Sequence, residues 1–227
     1  MKFVFSHNFS ISDSFRNKHI TSSFDMQDKN ISQDFIGEID IEEKAWNIGL
    51  IVGSSGSGKS SISNQCFGKS ESLEWDNNKS IVDNFDKDLS INDIIECLSS
   101  VGLNSAPCWV KPFNLLSNGE KMRAELARLL TQKKDKPIIF DEFTSVVDRE
   151  VAKITSYSVQ KNIRKKNRKF VAVSCHRDII DWLNPDWIYD TDVKRFFFVQ
   201  KNKDHPSNSI SENVISLYGE CLKSITI

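Results

Sequence analysis

The spacing of apolar residues changes several times along the chain, and each change marks an element. Up to about residue 41 they alternate with polar ones (Phe3, Phe5, then Phe35-Ile36, Ile39 and Ile41). This predicts short, half-exposed strands joined by Ser/Asn/Asp turns. Residues 46–52 (WNIGLIV) form a nearly continuous apolar run ending at Gly53, the profile of a buried parallel strand. A helix is predicted from about residue 59 to 67. Residues 70–90 are polar apart from Ile81-Val82, which reads as a short strand. Helical spacing returns at Ile91, Ile94, Ile95, Leu98 and Val101, stopped by Gly102. It continues over 118–130, with Met122, Leu126, Leu129 and Leu130 on one face. Pro137 precedes IIF, a second buried strand ending in Asp141-Glu142; a helix over roughly 149–165 and a third buried strand, FVAVS (170–174), follow. Such strand–helix alternation predicts an α/β fold, a mostly parallel sheet flanked by helices.

Beyond that core, residues 1–198 read as one domain and 199–227 as a linker and C-terminal helix. In the latter, Ile210, Val214, Leu217, Cys221 and Ile225 recur at helical spacing. The helix either packs on its own domain or docks a partner.

Thirty Lys+Arg against 31 Asp+Glu give a net charge of -1, which excludes a globally basic nucleic-acid binder and a globally acidic solvated chain. Local patches stay open. No run approaches the ~18 apolar residues of a membrane helix. Ser, His and Asn interrupt the apolar start before a signal core forms, so the chain reads as cytoplasmic. Five cysteines without a C-x-x-C pair argue against a disulfide framework or structural zinc.

Only nine glycines occur, yet three fall within residues 53–58. Gly53-Ser54-Ser55-Gly56-Ser57-Gly58-Lys59-Ser60 fits G-x-x-x-x-G-K-[ST] between a buried strand and a helix. The glycines let successive N–H groups turn toward phosphate oxygens, and the helix N-terminus adds partial positive charge. Lys59 would meet the β- and γ-phosphates of a nucleotide, and Ser60 would offer Mg²⁺ a hydroxyl. Ser61 completes the contact set. Asp141, at the end of the second buried strand, would organise magnesium. Glu142, facing the other way in the strand pattern, could orient or deprotonate the attacking water. The N-K-x-D string of a guanine reader is missing, since Asn202-Lys203-Asp204 lacks the spacer.

Leu116-Ser117-Asn118-Gly119-Glu120, followed by KMRAELARLL and lying 25 positions before Asp141, resembles the signature motif of the ATP-binding-cassette (ABC) ATPases. Ser145-Val146-Val147-Asp148 resembles their D-loop. His176, 34 positions after Glu142, resembles their switch histidine. The resemblance covers roughly residues 20–195. It implies a P-loop NTPase fold with an N-terminal antiparallel β region and a helical subdomain, here reduced to about 84–130. It also implies ATP and Mg²⁺ as cofactors and a head-to-tail homodimer with ATP at the interface. Ser117, Asn118, Gly119 and Glu120 would act on the partner's nucleotide, with Glu142, His176 and Asp148 as catalytic residues.

Glu120 replaces the family's usual glutamine and Asn118 its first glycine. By spacing, Asp83 occupies the place of the Q-loop glutamine, a magnesium contact. Phe24 is the candidate aromatic for stacking on adenine.

Leu116 follows Lys59 by 57 positions, fewer than in transporter ATPases and far fewer than in relatives with an inserted coiled coil. The expectation is a compact non-transporter ATPase that switches conformation for a protein partner. Longer strings (LIVGSSGSGKS; FDEFTSVVDREVAKI) look like a bacterial and phage-encoded ABC group, some of whose members carry an acetyltransferase-like domain. That suggests a phage or mobile-element system.

Lys161, Arg164, Lys165, Lys166, Arg168 and Lys169 form a basic run. It reads either as a contact for nucleic acid, making the protein an ATP-gated nucleic-acid-binding module, or as a solvated helix end. Trp182 and Trp187 flank Pro185 and read as packing around a turn.

Overall fold

The computed structural model describes residues 1–26, 30–132 and 136–199. The C-terminal helix expected after residue 210 lies outside them. Five strands form the main sheet: β3 (Ile48–Val52), β4 (Ile138–Phe140), β5 (Phe170–Ser174), β6 (Trp187–Asp190) and β7 (Arg195–Phe198). Their order is β4-β5-β3-β6-β7, parallel except for β7, which runs antiparallel to β6. A separate antiparallel pair, β1 (Lys2–Ser10) and β2 (Asn30–Glu38), lies beside it.

The pleat sorts the apolar runs into two cores, since successive side chains point to opposite faces. Ile48, Leu50, Val52, Phe140, Phe170 and Ala172 face one side. There they meet α3 (Ile91–Ser100), α5 (Asn118–Thr131) and α6 (Arg149–Lys165) through Leu98, Leu126, Leu130, Val159 and Ile163. Ile51, Ile139, Val171 and Val173 face the other side. They pack on Ile62 of α2 (Lys59–Phe67) and on Phe3, Phe35 and Trp46. Each such side chain contributes ~1.5–3 kcal/mol when withdrawn from water.

Helix starts follow local chemistry. Ser90 caps α3, Ser117 caps α5 and Asp148 caps α6, each side chain accepting a first-turn N–H.

Three segments depart from the sequence expectation. The N-terminal turns contain a helix, α1 (Phe15–Ser23), none of whose residues is buried. It has no apolar stripe to betray it, only its Ser14 cap, whose hydroxyl accepts from Asn17 N–H at 3.2 Å. Ile81-Val82 is not a strand. Ile81 is fully buried, its N–H donates to Lys111 O at 2.9 Å, and it leads into a 3₁₀ turn, Val82–Asn84. Finally, Trp187 is not at a turn: it sits in β6, fully buried, stacked on Phe67 with ring centroids 5.6 Å apart. A Cβ on Gly49 would collide with its ring, so β3 and β6 fit only because residue 49 has none. Two short helices complete the set: α4 (Ala106–Trp109), between α3 and α5 in the chain, and α7 (Ile179–Leu183), between β5 and β6.

Candidate functional site

Parallel strands leave their C-terminal ends on one edge of a sheet. There β3, β4 and β5 hand over to residues 53–60, 141–142 and 175–177, so three motifs far apart in sequence share one rim. A fourth parallel strand, β6, delivers Thr191 and Asp192 to the same rim.

The phosphate loop curls as its composition requires. Gly56 has φ +79° and Gly58, the N-cap of α2, φ +85°, a region that strains residues with a Cβ. The Phe35 ring occupies the place a Cβ on Gly58 would take, so space and backbone both demand glycine. Lys59 Nζ donates to the Ser54 carbonyl at 2.6 Å, and Ser57 Oγ donates to the same oxygen at 2.8 Å. The ammonium is thus folded over the loop that an anion would fill. Ser55 and Gly56 are exposed; Ser57, Gly58, Ser60 and Ser61 are half-buried. Ser61 Oγ lies 2.9 Å from His7 Nε2, which brings β1 across the first turn of α2.

Asp141 and Glu142 lie just past β4, so a turn rather than the strand pleat sets their directions. Glu142 has φ +53° and Thr144 φ +64°, left-handed values that are uncommon for such residues. The turn is pinned by Phe143, whose side chain is fully buried and whose N–H donates to Val173 O at 2.8 Å. Glu142 N–H donates to Asp141 Oδ1 at 2.9 Å, and the Glu142 side chain points into solvent. His176 follows β5 directly, its N–H donating to Ser174 Oγ at 3.1 Å.

The segments around Gly119 and Val147 meet. A Cβ on Gly119 would lie 3.1 Å from Val147 Cγ1 and 3.3 Å from Val146 O, so the two segments are in near contact. Asn118 opens α5, and Asp148 Oδ1 accepts from Val151 N–H at 2.9 Å as the cap of α6. Ser117 and Glu120 form a reciprocal capping box: Glu120 Oε2 accepts from Ser117 N–H at 2.8 Å, and Ser117 Oγ accepts from Glu120 N–H at 3.3 Å. The Cys108 thiol donates to Glu120 Oε1 at 2.9 Å. That bond first, then those from Ser117, hold the Glu120 carboxyl down to about 2.

A depressed carboxyl stabilises the fold fully above its unfolded pKa near ~4.3, and the contribution is lost as pH falls through about 2. Glu120→Gln, which keeps a capping box but cannot ionise, is therefore expected to lose less stability than wild type over that interval. Urea midpoints measured from pH 5 to 2 check this; identical slopes would rule out the Glu120 contribution.

The remaining candidates are more scattered. Phe24 ends α1 and is 76% exposed. Asp83 lies in the 3₁₀ turn, its Oδ2 accepting from Ser80 Oγ at 2.5 Å. Within the basic run, Arg164 pairs with Asp186 at 3.0 Å and Lys169 Nζ lies over the Trp46 ring, 4.8 Å from its centroid. Lys166 and Arg168 donate to Leu130 O near the C-terminus of α5, at 3.3 and 3.1 Å. Lys161 and Lys165 line a groove of about 830 Å³ that also contains Asp93 and Glu96, so its charge is mixed. Residues not singled out from sequence also join the rim: His7, Arg177, Asp190, Thr191 and Asp192. Nothing in their local spacing marks them, because their partners are distant in the chain.

The mostly parallel sheet carries a phosphate loop after one strand and an Asp-Glu pair after another, with an antiparallel β pair alongside, a fold similar to that of solved ABC cassettes. No protein-family model and no curated protein matches the chain. Among solved structures, it is similar to the dimeric bacterial ABC transporter cassette MJ0796 (TM-score 0.55, 16% identity, 78% of this chain and 95% of that one). It is also similar to the dimeric post-hydrolysis state of MJ0796 bound to ADP and Pi (TM-score 0.59, 15% identity, 88% and 100%). A third similar chain is in the complex of archaeal ribosome recycling factor aABCE1 with the ribosomal stalk protein aP1 (TM-score 0.53, 21% identity, 70% and 34%). At these identities the likeness carries the fold. No helix among the described residues is long and apolar enough to cross a membrane.

Proposed function

We propose that the protein is a Mg²⁺-dependent ATP hydrolase that closes as a head-to-tail dimer on ATP and reopens on hydrolysis. The observation that supports this best is the shared rim, where the phosphate loop, Asp141-Glu142 and His176 sit at the ends of adjacent parallel strands. Ligands of open α/β sheets bind at such carboxyl ends.

In this reading Lys59 leaves the Ser54 carbonyl for the phosphates, and the N–H groups of 56–61 cradle them. The donors fit magnesium, a hard cation that takes one or two protein oxygens and completes its shell with phosphate and water. Among the described residues no group of three His, Cys, Asp or Glu side chains could hold a metal by itself. Ser60 and Asp141 would hold the ion, with Asp83 as a further contact. When bound, the metal would offset the phosphate charge.

Glu142, exposed on its left-handed turn, takes the proton of the attacking water. His176 meets the γ-phosphate. Ser117, Asn118, Gly119 and Glu120 complete the partner's site from a helix N-terminus, Asp148 lies across the same interface, and Phe24 stacks on adenine. Hydrolysis drives a protein partner in the cytoplasm, and the sequence resemblance favours a phage or mobile-element setting.

The test is ATP hydrolysis and oligomeric state of the wild-type chain with and without Mg²⁺. The expected result is Mg²⁺-dependent turnover together with ATP-dependent dimerisation, both absent in Lys59→Ala. Turnover unaffected by Lys59→Ala would refute the assignment.

A further inference from the structure

The segment 190–192, which no motif marks, grips two parts of the rim at once. Asp192 Oδ1 and Oδ2 both accept from Ser54 N–H, each at 3.0 Å, and Oδ2 accepts from Ser54 Oγ at 2.9 Å. The same Oδ2 accepts from Arg177 Nη2 at 2.6 Å. Arg177, the residue after His176, also donates through Nε and Nη2 to Asp190 Oδ2 at 3.1 and 3.0 Å. Asp190 is fully buried, and its Oδ1 accepts from Asp192 N–H at 2.9 Å. Between the two acids, Thr191 Oγ1 donates to Val52 O at 3.2 Å and lies 2.6 Å from Ser57 Oγ.

A buried carboxylate needs a paired cation, so Asp190 holds Arg177 in place. The planar guanidinium fork then fixes where Asp192 can sit, and Asp192 in turn fixes Ser54 at the entrance of a loop that is otherwise rich in glycine. The Asp192 carboxyl accordingly lies below its usual range: burial alone would raise it, but the bonds from Arg177 and Ser54 outweigh that.

We propose that Asp192 is a positioning residue that couples the phosphate loop, through Ser54, to the His176 turn, through Arg177, so that the two answer the γ-phosphate as one unit. The inference rests on the ATPase reading above. Its consequence is selectivity for the triphosphate. ADP engages the loop alone, whereas ATP also needs His176 in register with it.

The experiment is equilibrium binding of fluorescent ATP and ADP analogues with Mg²⁺, for wild type, Asp192→Ala and Asp192→Asn, each also in a His176→Ala background. Asp192→Ala is expected to weaken ATP binding about tenfold, the scale of a lost charge-assisted bond, and ADP binding by less than about threefold. Asp192→Asn, which can still accept from Ser54, is expected to fall between, and serves alone if the alanine variant does not fold. In the His176→Ala background the further loss of ATP affinity should shrink below about twofold, since residues acting as one unit are not additive. Equal losses for ATP and ADP, or an undiminished loss without His176, would overturn the coupling and leave Asp192 as a brace of the loop. Wild-type protein that binds neither nucleotide would instead remove the ATPase reading itself.

Discussion

Glu142→Gln is expected to lower ATP turnover by at least about a hundredfold, the usual scale for a lost general base, while ATP binding persists and the ATP-bound dimer accumulates. The substitution is nearly isosteric. Glu142 is exposed, so no core contact is lost, and the left-handed turn is held by backbone bonds that glutamine retains: its own N–H to Asp141 Oδ1, and Phe143 N–H to Val173 O. What disappears is a proton acceptor at the rim. Single-turnover hydrolysis at saturating Mg²⁺-ATP, with light scattering to follow the dimer, reads both effects. Turnover within tenfold of wild type would show that the attacking water is activated elsewhere.

Ser117→Arg is expected to abolish ATP-dependent dimerisation and to cut turnover at least about a hundredfold, on the scale of removing a preorganised site for developing charge. Nucleotide binding by the monomer should survive. The local cost is small: losing a Ser N-cap destabilises a helix by ~1 kcal/mol, and α5 is held mainly by its buried face of Met122, Leu126, Leu129 and Leu130. The damage falls on whatever approaches the helix N-terminus, where Ser117 is exposed.

A head-to-tail arrangement adds a stricter test. Lys59→Ala and Ser117→Arg are each inactive alone, but a mixed dimer places both lesions at one site and leaves the other intact. Equal mixing should restore up to about half of wild-type turnover, since neither variant dimerises alone and each mixed dimer keeps one of two sites. No recovery, or a fully active wild-type monomer, would rule out the composite site.

Helix starts and buried strands were legible in the sequence wherever a few neighbouring residues decide the outcome. β3, α2, α5 and α6 fall where their apolar runs and caps predict them, because Ser117 and Asp148 satisfy first-turn N–H groups within their own segments. Elements without such local marks were not legible. α1 buries nothing, Ile81 is apolar but bonds to Lys111, 30 residues on, ahead of a 3₁₀ turn, and Trp187 looks like a turn residue until Gly49 and Phe67 make room for its ring. The basic run was ambiguous for the same reason. Arg164, Lys166, Arg168 and Lys169 find partners at Asp186, Leu130 and Trp46, none of them close in sequence.

The sequence by itself determined the phosphate loop, its glycine conformations and the acidic pair after β4, because backbone freedom and side-chain type are properties of single residues and their immediate neighbours. Only the tertiary structure decided what those groups face. Parallel pairing of β4, β5, β3 and β6 sends four loops to one edge, and it sets Asp192 against Ser54, 138 residues earlier in the chain. A contact of that range is governed by strand order and register, which the whole core selects and no local pattern encodes.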